Sequence, residues 1–226
     1  MTVPHGTPDA PRIAVRGEAH LEVDPEIARL GITIASRGKD RRTALDDLTR
    51  RNAHALDLLK SYGDAVERLE TGSFSITPEL KEHGRGERVH AHHGRVHITV
   101  ELSDFTALGE LTTRLADQEL TTVDGPWWAL RRDSPAYREA RRQAVREAVQ
   151  RAKEYAEALG TSLTALLELA DIGAEGPEPR FVGKAARARS MAYEADTAAT
   201  PLDLEPQRQH VHAQVDARFT MAPPRL

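Results

Sequence analysis

A chain of 226 residues, 39% hydrophobic and 29% charged, is long enough to bury a sizeable core and has the balance of a soluble globular protein. Its net charge of -4 removes any general attraction to nucleic acid or to an anionic membrane surface. With no cysteine there are no disulfides, no thiolate metal sites and no cysteine nucleophiles.

Residues 1–11, rich in Pro, Gly and Thr, read as a loose N-terminal tail. They hold no apolar stretch behind a basic start, and no apolar run of about 18 residues follows anywhere, so neither a secretory signal nor a membrane span is expected. The expectation that goes with this is a cytoplasmic location. From Arg12 to Val23, Ile13, Val15, Leu21 and Val23 alternate as on a strand with one buried face, and Gly17 interrupts them with a bulge or a bend. Asp24-Pro25 turns the chain, and a second strand carries Ile27, Leu30, Ile32 and Ile34, so a hairpin is expected to join the two. Over 40–62 the spacing becomes helical, with Ala44, Leu45, Leu48, Ala55, Leu56 and Leu59 in one stripe, Asp40 as N-cap and Gly63 as the left-handed terminator. Residues 66–80 and 89–102 read as strands around a polar, glycine-rich hairpin loop at 81–88. Asp104 caps a short helix that buries Phe105, Leu108, Leu111 and Leu115, and residues 120–132 return to strand.

Ser134-Pro135 opens a long helix, an N-cap followed by Pro at the first helical position. Its stripe comprises Tyr137, Ala140, Ala144, Ala148, Ala152, Tyr155, Ala156 and Leu159, mostly small residues that allow close packing on a sheet, and Gly160 ends it. Residues 163–172 read as a buried strand, 174–206 as a long loop, 210–221 as a last alternating strand and 222–226 as a C-terminal tail. The order predicts an α+β fold, mainly antiparallel sheet with helices packed on one face, in one domain over 12–221 with two βαβ-type halves.

The chain resembles the SIMPL-domain family. The segments that carry the likeness are Ile13-Ala14-Val15-Arg16-Gly17 with Glu18 and Asp24-Pro25, then Thr71-Gly72-Ser73-Phe74-Ser75-Ile76-Thr77-Pro78, the Val96–Val100 strand, Ala140-Arg141-Arg142-Gln143-Ala144-Val145, and Ala152, Ala156 and Leu159-Gly160. Ala19 stands where the family pattern has Gly. The resemblance implies an α+β fold without an assigned catalytic site. Bacterial members include periplasmic and outer-membrane immunogenic proteins, one group assembles into large rings with a central channel, and some are linked to oxidative-stress tolerance. What it implies here is an assembly or interaction protein, a homo-oligomer or the binder of a protein partner, rather than an enzyme.

The residues themselves offer few chemical constellations. His90, His92, His93 and His97 fall in one strand, where His90 and His92 share a face and so do His93 and His97, so they form a potential metal site; the alternative is a set of solvated polar positions. His210 and His212 share a face too and would add ligands if their strand neighboured residues 90–97. The arginines over 131–151 would suit a phosphate backbone, but the glutamates among them favour pairing along the helix face, so nucleic acid is not expected as a partner. Trp127 and Trp128, adjacent on a strand, must face opposite ways, one into the core and one outward as a potential interface residue. No nucleophile elbow or phosphate loop is present, and no catalytic residue and no cofactor are expected.

Overall fold

The computed structural model describes residues 6–80, 89–171 and 202–224. The expected loops at 81–88 and over most of 174–206 lie outside these residues. In chain order the elements are β1 (Arg12–Val23), β2 (Ile27–Gly38), α1 (Arg41–Ser61), β3 (Val66–Leu80), β4 (Val89–Leu102), α2 (Phe105–Ala116), β5 (Thr121–Ala129), α3 (Pro135–Ala158), β6 (Leu163–Asp171) and β7 (Gln209–Met221). All strand pairs among them are antiparallel, and the fold is α+β. The described chain divides into two compact units, one holding β1, α3, β6 and β7, the other β2 to β5 with α1 and α2.

Each helix starts where the sequence places its cap. Asp40 accepts from the Thr43 amide at 2.8 Å, Asp104 from the Thr106 amide at 2.9 Å, and Ser134 from the Ala136 amide at 3.2 Å. Gly63, at φ 51°, and Gly160, at φ 66°, follow α1 and α3 in the left-handed region that a Cβ disfavours.

In the first unit the sheet order is β1-β7-β6. Ala140, Ala144, Ala148, Ala152 and Ala156 form the buried stripe of α3. Of these, Ala144, Ala148 and Ala152 pack on Val15, Ala19, Val215, Ala217 and Phe219. Tyr137 and Tyr155, expected on that stripe, are exposed instead, because a strict four-residue step narrows the contact to the alanines. The approach is so close that a Cβ on Gly17 would lie 2.0 Å from the Ala144 carbonyl oxygen and 2.5 Å from the Ala148 amide nitrogen. Gly17 therefore marks the point where helix meets strand.

In the second unit the order is β3-β4-β2-β5. Leu30, Ile32, Ile34, Ile98, Val100 and Leu102 meet Leu48, Ala55 and Leu59 of α1 and Leu108, Leu111 and Leu115 of α2 in one core. Leu45, expected in the α1 stripe, is exposed. Ser36, fully buried among these groups, donates its hydroxyl to the Ala44 carbonyl at 2.7 Å.

Two further expectations are corrected. The β1–β2 hairpin does not form: β1 pairs with β7 along its whole length, while β2 lies between β4 and β5. Asp24-Pro25 is thus a crossing from one sheet to another, which local turn chemistry alone does not distinguish from a hairpin. And β6, expected to be buried, is an edge strand exposed from Thr164 to Leu169.

Candidate functional site

One face of the four-stranded sheet is covered by α1 and α2; side-chain alternation sends every second residue to the other, open face. On that face Trp127 of β5, about half exposed, and His97 of β4 flank Gly31 of β2. A Cβ on Gly31 would stand 3.1 Å from His97 Cε1 and 3.4 Å from the Trp127 ring. The Thr33 hydroxyl and His97 Nδ1 share a hydrogen bond of 3.2 Å, which fixes the imidazole against β2. Two flanking cations, Arg29 and Arg37, are matched by carboxylates. Arg29 donates to Glu101 at 2.7 Å, and Glu79 accepts from Arg37 at 2.9 Å with His93 Nε2 at 2.7 Å from it. The bond to His93, and then that to Arg37, hold the Glu79 carboxyl below its usual range. Beside this cluster lies an open depression of about 400 Å³ lined by Ala35, Ser75, Thr77, His93, Gly94 and Arg95.

Alternation divides the histidines of β4. His93 and His97 belong to the open face, with Arg95 between them on the same side. His92 turns toward the helix side, where its Nδ1 is buried without a hydrogen-bond partner among the described residues, and His90 is exposed near the strand start. Among the described residues these four do not converge as a group of three ligands. The strand of His210 and His212 neighbours β1 and β6, so the condition under which they would join the β4 histidines is not met. Instead His212 stands directly opposite His20 of β1, with ring centroids 4.3 Å apart, and Glu18 lies beside them. Sequence reasoning passed over His20 because its strand partner was assigned as β2; its even position, out of phase with Val15, Ala19 and the core, is the signal that placed it outward.

Trp128 packs edge-on against Phe105 at 4.8 Å on the core side, opposite to Trp127. Three of the arginines of 131–151 are engaged by acids: Arg131 with Glu67, Arg146 with Glu139 and Arg151 with Glu147.

A further surface of note is the outer edge of β6. Leu166 is 54% exposed, Leu167 49% and Leu169 47%. Its other edge pairs with β7. Among the described residues no strand covers the outer edge.

The SIMPL family profile, described as a protein of unknown function (DUF541), matches residues 13–219. The chain belongs to the SIMPL family. Among its relatives are the 26 kDa periplasmic immunogenic proteins of Brucella melitensis biotype 1 (strain ATCC 23456) and of Brucella abortus (strain S19), each 25% identical over 170 residues. The aligned region covers 71% of this SIMPL chain and 66% of each relative, so the match spans just under two thirds of their length. The cytoplasmic location expected from the N-terminal segment is corrected by these relatives, which are named periplasmic proteins. That expectation rested on the composition of the first residues alone. No helix among the described residues is long and apolar enough to cross a membrane.

Proposed function

We propose that this SIMPL-family chain is a periplasmic protein without catalysis of its own, and that it acts by associating with further copies of itself along the outer edge of β6. The setting implied by the family resemblance is stress tolerance. The observation that carries the reading is the row of half-exposed leucines, Leu166, Leu167 and Leu169, on a strand whose outer edge is unpaired among the described residues. Leu166 and Leu169 stand opposite Phe219 and Ala217 of β7, and Leu167 sits at the register irregularity between Leu166 and Glu168. Natural edge strands are commonly protected by lysine, proline or a bulge; β6 has register irregularities against β7 between Leu163 and Ala165 and between Leu166 and Glu168, but no lysine or proline guard on its outer edge. From Leu163 to Asp171 there is no Lys, Arg or Pro, and the one mid-strand charge, Glu168, is paired with Arg218 of β7.

The strand is also self-complementary. In a two-fold antiparallel pairing centred on Leu167, Glu168 falls opposite Leu166 and Asp171 opposite Leu163, so no like charges meet. Sedimentation velocity of the wild type against Leu167→Lys checks this. The wild type should sediment as a species heavier than the 25.0 kDa chain, and the variant should shift toward the single chain. A wild type that stays a single chain at high concentration contradicts the proposal.

A further inference from the structure

We infer that Glu18, His20 and His212 form a surface site for a divalent transition-metal ion, with Zn²⁺ the best match to the donor set. The three side chains are brought together by the β1–β7 register. His20 and His212 are directly opposed, and Glu18 precedes His20 by two residues on the same face. This is the outer face of the sheet, since Val15, Gly17 and Ala19 on β1 and Val211 and Val215 on β7 take the α3 side. The ligand atoms of the three residues already lie within 4.8 Å of one another. Donors around a tetrahedral zinc, at about 2.0–2.1 Å from the ion, are about 3.4 Å apart, so small rotamer adjustments close the gap without moving either strand.

The donor chemistry is specific in kind. Two imidazoles and one carboxylate form the protein set of open zinc sites, and leave at least one coordination position free for water or an outside donor. A hard-cation site for Ca²⁺ or Mg²⁺ would need more oxygen ligands than this face supplies. Glu18 is held from outside the group: its Oε1 accepts from Gln214 Nε2 at 3.2 Å, and its backbone amide donates to Glu147 of α3 at 3.2 Å. Such outer contacts hold metal ligands in orientation. Arg16, the next cation along this face, is turned onto Asp216 at 3.0 Å. On the other side Glu22 stands opposite His210 in the following row. Among the described residues, the groups facing the site are Glu18, Gln214, Glu22 and His210 beside the two histidines, with the Arg16–Asp216 pair beyond.

The site is separate from the β6 edge, and the two readings fail independently. Tag-free protein stripped by chelator and titrated with Zn²⁺ in calorimetry should take one ion per chain. His20→Ala and His212→Ala should each weaken binding at least tenfold. Glu18→Gln should weaken it severalfold, and His93→Ala should leave it unchanged. All four positions are at or near the surface, and circular dichroism of each variant verifies the fold. His212→Gln, which keeps a polar side chain of similar size, should match His212→Ala. Absence of Zn²⁺ binding by the wild type, unchanged binding in His20→Ala and His212→Ala, or loss of binding in His93→Ala would each overturn the assignment.

Discussion

At the residue scale, the closest contact between helix and strand rests on Gly17. A methyl group there would sit inside the backbone of α3 at Ala144 and Ala148, where no flexible side chain is available to yield. Gly17→Ala should therefore lift the helix and cost on the order of 2–3 kcal/mol, read from chemical denaturation. Ser36 makes a contrasting case. Its buried hydroxyl satisfies the Ala44 carbonyl, so Ser36→Ala should cost about 1 kcal/mol in the same assay. The sequence marked Gly17 as an interruption of a strand pattern, but a break in alternation does not say what approaches the backbone. For the same reason His20 was not legible as a partner of His212: the two lie far apart in the chain and meet only through strand register. Trp127 and Trp128 were legible, because opposite facing of adjacent strand residues needs no partner to be known.

At the element scale, caps and terminators were plain. Asp40, Asp104, Ser134, Gly63 and Gly160 act within a few residues of themselves, so local spacing is enough to place them. Strand neighbours are a different matter. The β3–β4 pairing was readable from adjacency, whereas β1–β7 joins the two ends of the chain. Apolar composition made β6 read as buried, although an apolar strand at a sheet edge has the same composition as one in a core. Within α1, Asp47 bonds to Arg51 at 2.8 Å, both being mostly buried. That bond, first among the causes, holds the Asp47 carboxyl below its ordinary range. A carboxyl lowered in the folded state contributes stability above its unfolded pKa and loses it as pH falls through the folded value. Unfolding free energy should thus decline on acidification below the ordinary aspartate range. Asp47→Asn should flatten part of that decline and remove on the order of 1 kcal/mol near neutrality, by denaturant titration across pH.

At the scale of the whole molecule, the α+β class and the SIMPL family were both readable, since hairpins, helical stripes and short motifs in order survive without tertiary knowledge. The division of the strands between two sheets was not, because Asp24-Pro25 is consistent with either a hairpin or a crossing. The cytoplasmic expectation drawn from composition was overturned by relatives that are named periplasmic proteins. The central claim is the proposed association along the outer edge of β6, which no strand covers among the described residues. Hydrogen exchange of the peptide covering Leu163–Asp171, measured over a hundredfold range of protein concentration, tests it most directly. Protection that rises with concentration in β6 while β7 stays constant is the predicted result; exchange in β6 that is independent of concentration would contradict it.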